Sequence, residues 1–336
     1  MIGGRLVTLG NFAGVTKRDG KGGRVEAHGH RGARGLRPEN TLPGFAHAFE
    51  IGVDAVELDV GLTADGVVIL NHDQVLSALT CCDTEPAWPD DPQFPYVGRK
   101  LRELTLDQIR TVDAGVRQAS ADGWPADTDP LVLTQLPMRG VVLPTLAEVC
   151  ELLDGYDSRR IHLAVELKTD PSWPYCDVEH FVAAVADVLE SCGMSRRARL
   201  LGFDWRVLTA AARVAPRLRR VALVEEKTLT VSDGSGAPWL AGLDPSDWVA
   251  GAVAIGANVL SPEHTLISPE LVGDAHSLSL PVTAWTVNDT ADMARLIEYG
   301  VDAIVTDYPD RLRIVMQSQG RALPRPARVR KPARTL

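Results

Sequence analysis

Five residues between positions 30 and 73 have side chains that could act together in hydrolysis. They are two histidines, one arginine and two acids separated by a single residue: His30, Arg31, Glu57, Asp59 and His72. The acids could bind a metal cation, the arginine could hold a phosphate, and the histidines could exchange protons near neutral pH. This set of side chains predicts hydrolysis of a phosphate ester.

The two acids lie in a run that is typical of a β-strand, Ala55–Val60. Side chains two residues apart in a strand leave the same face, so Glu57 and Asp59 share one face and their apolar neighbours share the other. Two inward carboxylates need a cation or several donors to stay ionised, and a divalent metal meets that need. The alternative is an ordinary salt-bridged pair, but the C-terminal end of a barrel strand favours the metal.

Glu166 and Lys168 repeat this spacing in a later strand. Glu166 could complete an oxygen-rich site of the kind that Mg²⁺ or Ca²⁺ prefers. Lys168 could then hold a phosphate oxygen as a point charge. Taken alone, the two residues are better explained as a pair that neutralises itself. Together with the earlier acids, they are predicted to complete the metal and phosphate site.

His30 and His72 each stand where a predicted strand gives way to a loop. Two histidines beside one phosphate can divide the work, one activating the nucleophile and one protonating the leaving group. His28 competes with His30, because the two share a face of an extended segment. Arg31 is predicted to hold phosphate, with a plain surface charge as the alternative. Glu39 is also predicted to be a substrate-binding residue, which would support Arg31 or the metal site.

Structural explanations compete with functional ones at the remaining positions. Asn40 or Thr41 is a good N-cap for the helix that begins there, which alone could explain the residues around Glu39. Trp285 ends a late strand and could form an apolar wall for the carbon skeleton of a substrate, although core packing explains it nearly as well. The segment Thr306–Pro309 closes the last strand and is interpreted first as a turn.

Short β-rich runs alternate with helical patterns from about residue 24, which is typical of parallel βαβ units. A (β/α)₈ TIM barrel is therefore the predicted α/β fold, and a doubly wound open sheet is the alternative, although no Gly-rich nucleotide loop follows the first strand. Nine strands are predicted, one more than the eight of a (β/α)₈ barrel. The turn Thr63–Gly66 leaves no room for a helix, so we expect a hairpin and an irregular barrel near strands 2 and 3. The nine are Arg24–His28, Ala55–Val60, Val67–Asn71, Ile161–Leu167, Arg199–Phe203, Val221–Val224, Asn258–Leu260, Val282–Val287 and Ala303–Thr306.

The chain divides into an N-terminal extension (1–23), the barrel (24–315) and a C-terminal tail (316–336). Residues 74–144 interrupt the barrel with many prolines, two tryptophans and one helical segment, Thr105–Asp113. An insertion of this length is usually functional or disordered, and its tryptophans favour an ordered cap over the barrel mouth. Residues 321–336 contain six cations, three prolines and no acid, which predicts a disordered tail.

Composition excludes several classes of protein. The 336 residues are 45% hydrophobic, ample for one large core, and their net charge of −9 gives no general case for nucleic-acid binding. No apolar run reaches the roughly 18 residues that a membrane span needs. The five cysteines favour a reducing compartment, because their number is odd and two are adjacent. Without the residue order of a secretory signal, a cytoplasmic protein is expected. Nothing in the sequence indicates an oligomeric state.

In this order, the residues resemble the glycerophosphodiester phosphodiesterase family. The resemblance covers roughly residues 26–315, and its first half is the more specific. His28-Gly29 before the first motif and Gly202 before Phe203 depart from the usual pattern. The motifs that carry the resemblance are His30-Arg31-Gly32, Pro38-Glu39-Asn40-Thr41, Glu57-x-Asp59, Asp65-Gly66, His72-Asp73, Thr105-Leu106, Pro144-Thr145-Leu146, Glu166-x-Lys168, Phe203-Asp204, Ala284-Trp285-Thr286-Val287-Asn288 and Thr306-Asp307-Tyr308-Pro309.

The resemblance implies a (β/α)₈ barrel whose small-molecule partner is a glycerophosphodiester, hydrolysed to an alcohol and sn-glycerol 3-phosphate. It also implies that residues 74–144 are the family's variable cap. By motif position, the metal ligands for Mg²⁺ or Ca²⁺ would be Glu57, Asp59 and Glu166, the acid–base pair His30 and His72, and the phosphate ligands Arg31 and Lys168.

Two other functions remain open at this point. A phospholipase that acts on intact lipids would use the same barrel and histidines, but it needs an apolar rim near the cap. A non-catalytic phosphate- or sugar-binding barrel is the other alternative, although a binding module need not retain all five of Glu57, Asp59, Glu166, His30 and His72. For the enzyme, first attack by a substrate hydroxyl, giving a cyclic phosphate, and direct attack by water both remain open.

Overall fold

The computed structural model describes residues 24–118, 129–230 and 237–330. Within these ranges the chain forms eleven strands. They are β1 (Glu26–Gly29), β2 (Ala55–Leu62), β3 (Val68–Leu70), β4 (Cys82–Asp83), β5 (Val112–Asp113), β6 (His162–Leu167), β7 (Ala198–Gly202), β8 (Arg219–Val224), β9 (Val259–Pro262), β10 (Thr283–Ala284) and β11 (Ala303–Thr306).

Ten α-helices connect these strands in the described ranges, and none of them is long and apolar enough to cross a bilayer. Thr41 caps the first helix, with its hydroxyl accepting a hydrogen bond from the backbone of Gly44. The helices are α1 (Leu42–Ile51), α2 (Leu106–Ile109), α3 (Pro130–Thr134), α4 (Leu146–Asp154), α5 (Tyr175–Ser191), α6 (Arg206–Val214), α7 (Trp248–Ala254), α8 (Pro269–Ser277), α9 (Thr290–Tyr299) and α10 (Pro309–Ser318).

Eight of the strands are parallel and form a closed barrel. Their hydrogen-bonded order is β10-β11-β1-β2-β6-β7-β8-β9. Isolated parallel bridges between Leu260 and Val282 and between Glu263 and Trp285 join the two outer strands of this order. The predicted (β/α)₈ barrel is therefore confirmed, and the open-sheet alternative is not observed.

The barrel is irregular at the turn Thr63–Gly66, as the sequence predicts. β3 pairs antiparallel with β2, with Val60 opposite Leu70, and takes no place among the eight parallel strands. Four turn residues cannot carry the crossover that a parallel pair needs, so the chain makes a hairpin. The hairpin brings the loop after β3 to the same end of the barrel as the C-terminal ends of its neighbours.

Side chains alternate along β2 and β6 as their sequences predict. The odd-numbered acids of β2 point away from its apolar residues, which pack under the outer helices together with those of β6. A smaller apolar cluster fills the barrel interior below the acids. The outer set comprises Val56, Leu58, Val60, Leu163, Val165 and Leu167, and the inner set comprises Ala164, Leu201, Val221, Leu223 and Val259.

The described parts of the insertion form a compact unit with their own buried apolar cluster, which includes Tyr96, Leu101 and Ile109. Its helix α2 is shorter than the predicted Thr105–Asp113. The helix ends early because Val112–Asp113 pairs with Cys82–Asp83 as a short antiparallel ladder.

The C-terminal segment differs from the predicted disordered tail. Helix α10 continues to Ser318, and the chain then packs along the N-terminal end of the barrel. Ala327 is buried and donates its backbone N–H to Phe49, and Arg330 donates its backbone N–H to Gly155. These backbone hydrogen bonds hold a segment whose composition alone predicts disorder. Residues 331–336 and the predicted extension 1–23 lie outside the described ranges.

We expect Gly29→Ala to destabilise the barrel. A β-carbon at Gly29 would lie 2.1 Å from the carbonyl oxygen of Gly32, which belongs to the rigid backbone before α1. The substitution should lower the free energy of unfolding by about 1–3 kcal/mol, as overpacking typically does. Urea denaturation measures the change.

Gly273→Ala is the matched control for this substitution. Gly273 lies within α8, and no atom lies within 4 Å of its added β-carbon. Alanine there should raise stability by roughly 0.5–1 kcal/mol, because it reduces the entropy lost on forming the helix. Equal effects of the two substitutions would contradict the steric explanation.

Candidate active site

A cavity of about 550 Å³ opens at the C-terminal ends of the barrel strands, which is the end where (β/α)₈ enzymes carry their chemistry. Of the nine residues that the sequence predicts for the site, seven line this cavity; Glu39 lies behind it against Arg31, and Asp59 lies behind it against Arg31 and Lys168. The seven are His30, Arg31, Glu57, His72, Glu166, Lys168 and Trp285.

The three predicted metal ligands lie together. Asp59 and Glu166 are opposite each other in the parallel register of β2 and β6. One carboxylate oxygen from each of Glu57, Asp59 and Glu166 lies within 4.8 Å of the other two. All three acids are buried, and Glu57 Oε1 has no hydrogen-bond partner. A buried, oxygen-only set with an unpartnered oxygen fits a hard divalent cation such as Mg²⁺ or Ca²⁺.

Two buried cations balance part of this negative charge. Lys168 Nζ lies 3.0 Å from Asp59 Oδ1 and 2.6 Å from Glu166 Oε1. Arg31 Nε lies 3.1 Å from Asp59 Oδ2. Lys168 thus pairs with Glu166, and both residues also belong to the acid cluster. The two interpretations of this pair from sequence, mutual neutralisation and part of a metal and phosphate site, are therefore compatible.

The acids of the cluster do not ionise independently. Burial raises the pKa of Glu57 well above its usual range, and the charges of Asp59 and Glu166 raise it further. Burial also raises the pKa of Asp59, but Lys168 and Arg31 outweigh it and hold that pKa well below its usual range. For Glu166, burial outweighs the lowering by Lys168, so its pKa is raised. A bound cation would favour the ionised form of all three.

Asn40 holds Asp59 in place, a role that the sequence does not reveal. Its side-chain amide donates to Asp59 Oδ2 at 2.9 Å, and its Oδ1 accepts the backbone N–H of Asp59 at 3.2 Å. The backbone φ of Asn40 is +53°, a left-handed conformation that asparagine adopts more readily than most residues. The helix cap is Thr41, so Asn40 is free to orient the acid.

Hydrogen bonds from both its backbone and its side chain hold Arg31 in place. Its backbone N–H donates to Glu57 Oε2 at 3.0 Å, and its Nη1 donates to Glu39 Oε1 at 2.6 Å. Glu39 also accepts hydrogen bonds from Arg34 and Arg117. Burial raises the pKa of Glu39, but Arg31 and Arg34 outweigh it and hold the pKa below its usual range. Glu39 therefore supports Arg31, as the sequence suggests, and does not line the cavity.

His30 is oriented by an acid that directly follows the last strand of the barrel. Its Nδ1 lies 2.7 Å from Asp307 Oδ1, and its Nε2 lies 3.8 Å from Glu57 Oε2. Asn288 donates to Asp307 Oδ2 and accepts its backbone N–H. Burial lowers the pKa of His30, and Asp307 offsets part of that effect. The turn interpretation of Thr306–Pro309 misses this contact, which depends on barrel closure.

His72 lies on the loop after β3 and is more exposed than His30. Its Nδ1 lies 2.7 Å from Asp73 Oδ1. Both histidines thus have Nδ1 on a carboxylate and line one cavity. His28, the competing residue, lies deeper in β1, and its Nε2 is bound to Glu26 at 2.9 Å. The structure therefore places His30 beside the acid cluster and His28 at the floor of the cavity.

Trp285 and Phe203 form an apolar wall of the cavity. Their rings meet edge to face with centroids 5.3 Å apart, and both pack on the apolar cluster inside the barrel. Trp285 Nε1 donates to the carbonyl oxygen of Ser261 at 2.7 Å, which fixes the ring. Both interpretations of Trp285 from sequence therefore apply, because the ring packs on the apolar interior of the barrel and also lines the cavity.

The fold and the residues at the C-terminal ends of its strands define a phosphodiesterase of the (β/α)₈-barrel class. The glycerophosphoryl diester phosphodiesterase family model matches residues 30–311. Because this match covers most of the chain, the chain belongs to that family.

Relatives and solved structures agree with this assignment. The glycerophosphodiester phosphodiesterase of Caldanaerobacter subterraneus subsp. tengcongensis is 27% identical over 292 residues, which are 87% of this chain and 97% of that protein. An enzyme of the same description from Bacillus subtilis is 26% identical over 289 residues, covering 85% of each chain.

Among solved structures, a protein of Silicibacter pomeroyi assigned to the glycerophosphoryl diester phosphodiesterases has a TM-score of 0.75 and 32% identity, covering 89% of this chain and 95% of its own. A phosphodiesterase of Oleispira antarctica, solved with the product sn-glycerol-3-phosphate, has a TM-score of 0.63 and 22% identity. The match covers 88% of this chain and 97% of that one. The second likeness supports the fold.

We expect Asn40→Gly to destabilise the protein by about 1–3 kcal/mol, because it leaves the buried carboxylate and backbone N–H of Asp59 without their partner. Glycine keeps the left-handed backbone available, so this variant isolates the loss of the side chain. Asn40→Ala should cost roughly 1 kcal/mol more, because alanine is strained at this φ. Urea denaturation in the presence of a chelator measures both. If Asn40→Gly were as stable as the wild type, the amide would not be needed to hold Asp59.

Proposed function

We propose that this chain hydrolyses glycerophosphodiesters to an alcohol and sn-glycerol 3-phosphate, and that it requires a divalent metal, Mg²⁺ or Ca²⁺, at Glu57, Asp59 and Glu166. The observation that carries the proposal is the buried set of three carboxylates within 4.8 Å, two of which line one cavity with His30. Membership of the phosphodiesterase family supports the reaction. The product found in the Oleispira antarctica structure supports the substrate class.

Arg31 and Lys168 are proposed to bind the phosphate. A metal bound at the acids would supply Lewis-acid polarisation of a phosphate oxygen. Arg31 would donate to the other oxygens through its remaining guanidinium nitrogen, because its Nε lies on Asp59 and its Nη1 on Glu39. Lys168 adds a compact positive charge beside Phe203. Both cations are fixed by buried acids before substrate arrives, so they stabilise the charge that develops without first having to reorganise.

His30 and His72 are proposed to move the protons. Because Asp307 engages Nδ1 of His30, Nε2 is the ring atom that can exchange a proton with the reacting groups. Asp73 engages Nδ1 of His72 in the same way. One histidine would take the proton of the nucleophile at Nε2, and the other would give one to the leaving alkoxide. The nucleophile is either a hydroxyl of the substrate, giving a cyclic phosphate, or water.

The cavity offers room for more than the phosphate. Its volume of about 550 Å³ lies within the range typical of small-molecule sites. The wall formed by Trp285 and Phe203 suits the carbon skeleton of glycerol or of the alcohol. An apolar wall beside fixed cations thus suits a substrate with a charged centre and carbon arms.

Metal removal should abolish the reaction. We expect EDTA to stop release of glycerol 3-phosphate from glycerophosphocholine, and added Mg²⁺ or Ca²⁺ to restore it. An enzyme-coupled assay for glycerol 3-phosphate measures the rate. Activity that persists after thorough chelation would exclude the proposed role of the three acids.

Replacing either proposed proton carrier should slow turnover. His30→Ala and His72→Ala are each expected to lower kcat at least about a hundredfold, the usual contribution of a positioned acid or base. His180→Ala, on the exposed face of α5, is the control and should leave kcat unchanged. A larger loss from His28→Ala than from His30→Ala would show that the motif register is wrong.

A further inference from the structure

The N-terminal end of the barrel, opposite the cavity of the proposed reaction, concentrates arginines. They lie in the turns that lead into the strands and in the C-terminal segment that packs there. This is a local excess of positive charge in a chain whose net charge is −9. The arginines of these turns and of the segment include Arg24, Arg159, Arg160, Arg196, Arg197, Arg217, Arg325, Arg328 and Arg330.

A second cavity, of about 710 Å³, lies at this end. Its walls are Arg24, the turn before β2, the turn between α4 and β6, and the C-terminal segment around Pro324. Among the described residues that line it, the cations are all arginines and outnumber the acids. The arginines are Arg24, Arg159, Arg160, Arg325 and Arg330, and the acids are Asp54 and Asp157.

Two of these arginines have protein partners. Arg24 pairs with Asp54. Arg330 Nη2 lies 3.5 Å from Asp154 Oδ1, and its Nε donates to the carbonyl oxygen of Tyr156 at 2.9 Å. These two arginines are therefore held by the protein itself.

The other three arginines of the cavity lack such partners in the part of the chain that the structure describes. No described acid lies within the 4.0 Å of an ion pair from the guanidinium of Arg159, Arg160 or Arg325, and none of these guanidinium groups donates a hydrogen bond there. All three are exposed. Asp157, the second acid, accepts a backbone N–H from the C-terminal segment. Three residues that line one cavity therefore carry exposed guanidinium groups without a described protein partner.

The cations at this end also act on one another. Burial lowers the pKa of the neighbouring Arg197, and Asp154 offsets part of that effect. The positive charges of Arg159 and Arg330 lower it further. An anion placed among these groups would relieve their mutual repulsion.

We propose that this cavity is a second ligand site, which binds an anion carrying two or more phosphate charges. Guanidinium groups match phosphate oxygens with paired N–H donors, which a lysine cannot do. Three available forks call for a ligand with several phosphate oxygens spread over the cavity. The same chemistry is offered by a free polyphosphate-type ligand and by the headgroup of an anionic phospholipid that carries two phosphate groups. The site lies at the far end of the barrel from the acid cluster, so it does not depend on the proposed reaction.

The test is isothermal titration of the full chain with inorganic pyrophosphate in the presence of EDTA. Because Arg31 and Lys168 can also bind this probe, the informative result is the difference between variants. The double variant Arg160→Gln/Arg325→Gln should weaken one binding event at least tenfold, with hydrolysis of glycerophosphocholine kept within twofold of wild type. Arg160→Lys/Arg325→Lys keeps the charge and loses the guanidinium forks, so its affinity for pyrophosphate should lie between those of the wild type and the Arg160→Gln/Arg325→Gln variant.

Arg139→Gln is the matched control, since Arg139 is an exposed arginine of the insertion. It should leave the titration unchanged. An identical titration for wild type and the Arg160→Gln/Arg325→Gln variant would overturn the proposal, and so would an equal loss in Arg139→Gln, which would indicate unspecific charge attraction.

Sedimentation with vesicles separates the two sources of phosphate. Where the titration depends on these arginines, binding to cardiolipin vesicles but not to phosphatidylcholine vesicles, lost in Arg160→Gln/Arg325→Gln, would assign the site to a lipid headgroup. Pyrophosphate binding that depends on these arginines, without vesicle binding, would assign it to a free ligand.

Discussion

Repulsion among three buried carboxylates is the constraint on which the rest of the site depends. Two unit charges about 5 Å apart repel by roughly 3 kcal/mol at an effective dielectric constant of about 20, and Glu57, Asp59 and Glu166 all lie within 4.8 Å of one another. Arg31 and Lys168 contribute two positive charges against three negative ones. The remaining negative charge makes the cluster suited to a cation, and it explains why so many donors converge on these acids.

The barrel is the means by which such a cluster is assembled from distant parts of the chain. Parallel register sets Asp59 beside Glu166, although the insertion separates them in sequence. Barrel closure does the same for the histidine: β1 pairs with β11, so His30 meets Asp307 from the other end of the fold. The hairpin after β2 then delivers His72 to the same end. The proposed chemistry therefore depends on the whole ring of strands.

The features that could be predicted from sequence are those that depend on local periodicity. Alternation along a strand is a property of neighbouring residues, so it identifies Glu57 and Glu166 as inward acids before any fold is known. The roles of Asn40 and Asp307 depend on which loops meet at the barrel mouth, and each residue also has a sufficient local explanation as a cap or a turn. Composition was misleading at the C-terminus for a similar reason, because the hydrogen bonds that hold Ala327 are made by the backbone.

Net charge is a poor guide to what the two ends of this barrel attract. At the cavity of the acid cluster, positive and negative groups are buried within hydrogen-bond distance, so salt screens them little. At the other end, the arginines are exposed, and their field extends only about 8 Å at physiological ionic strength. A net charge of −9 argues against polyanion binding by the chain as a whole, yet Arg159, Arg160 and Arg325 place three exposed cations around one cavity. The distribution of charge over the barrel, and not its sum, decides which anions each end can hold.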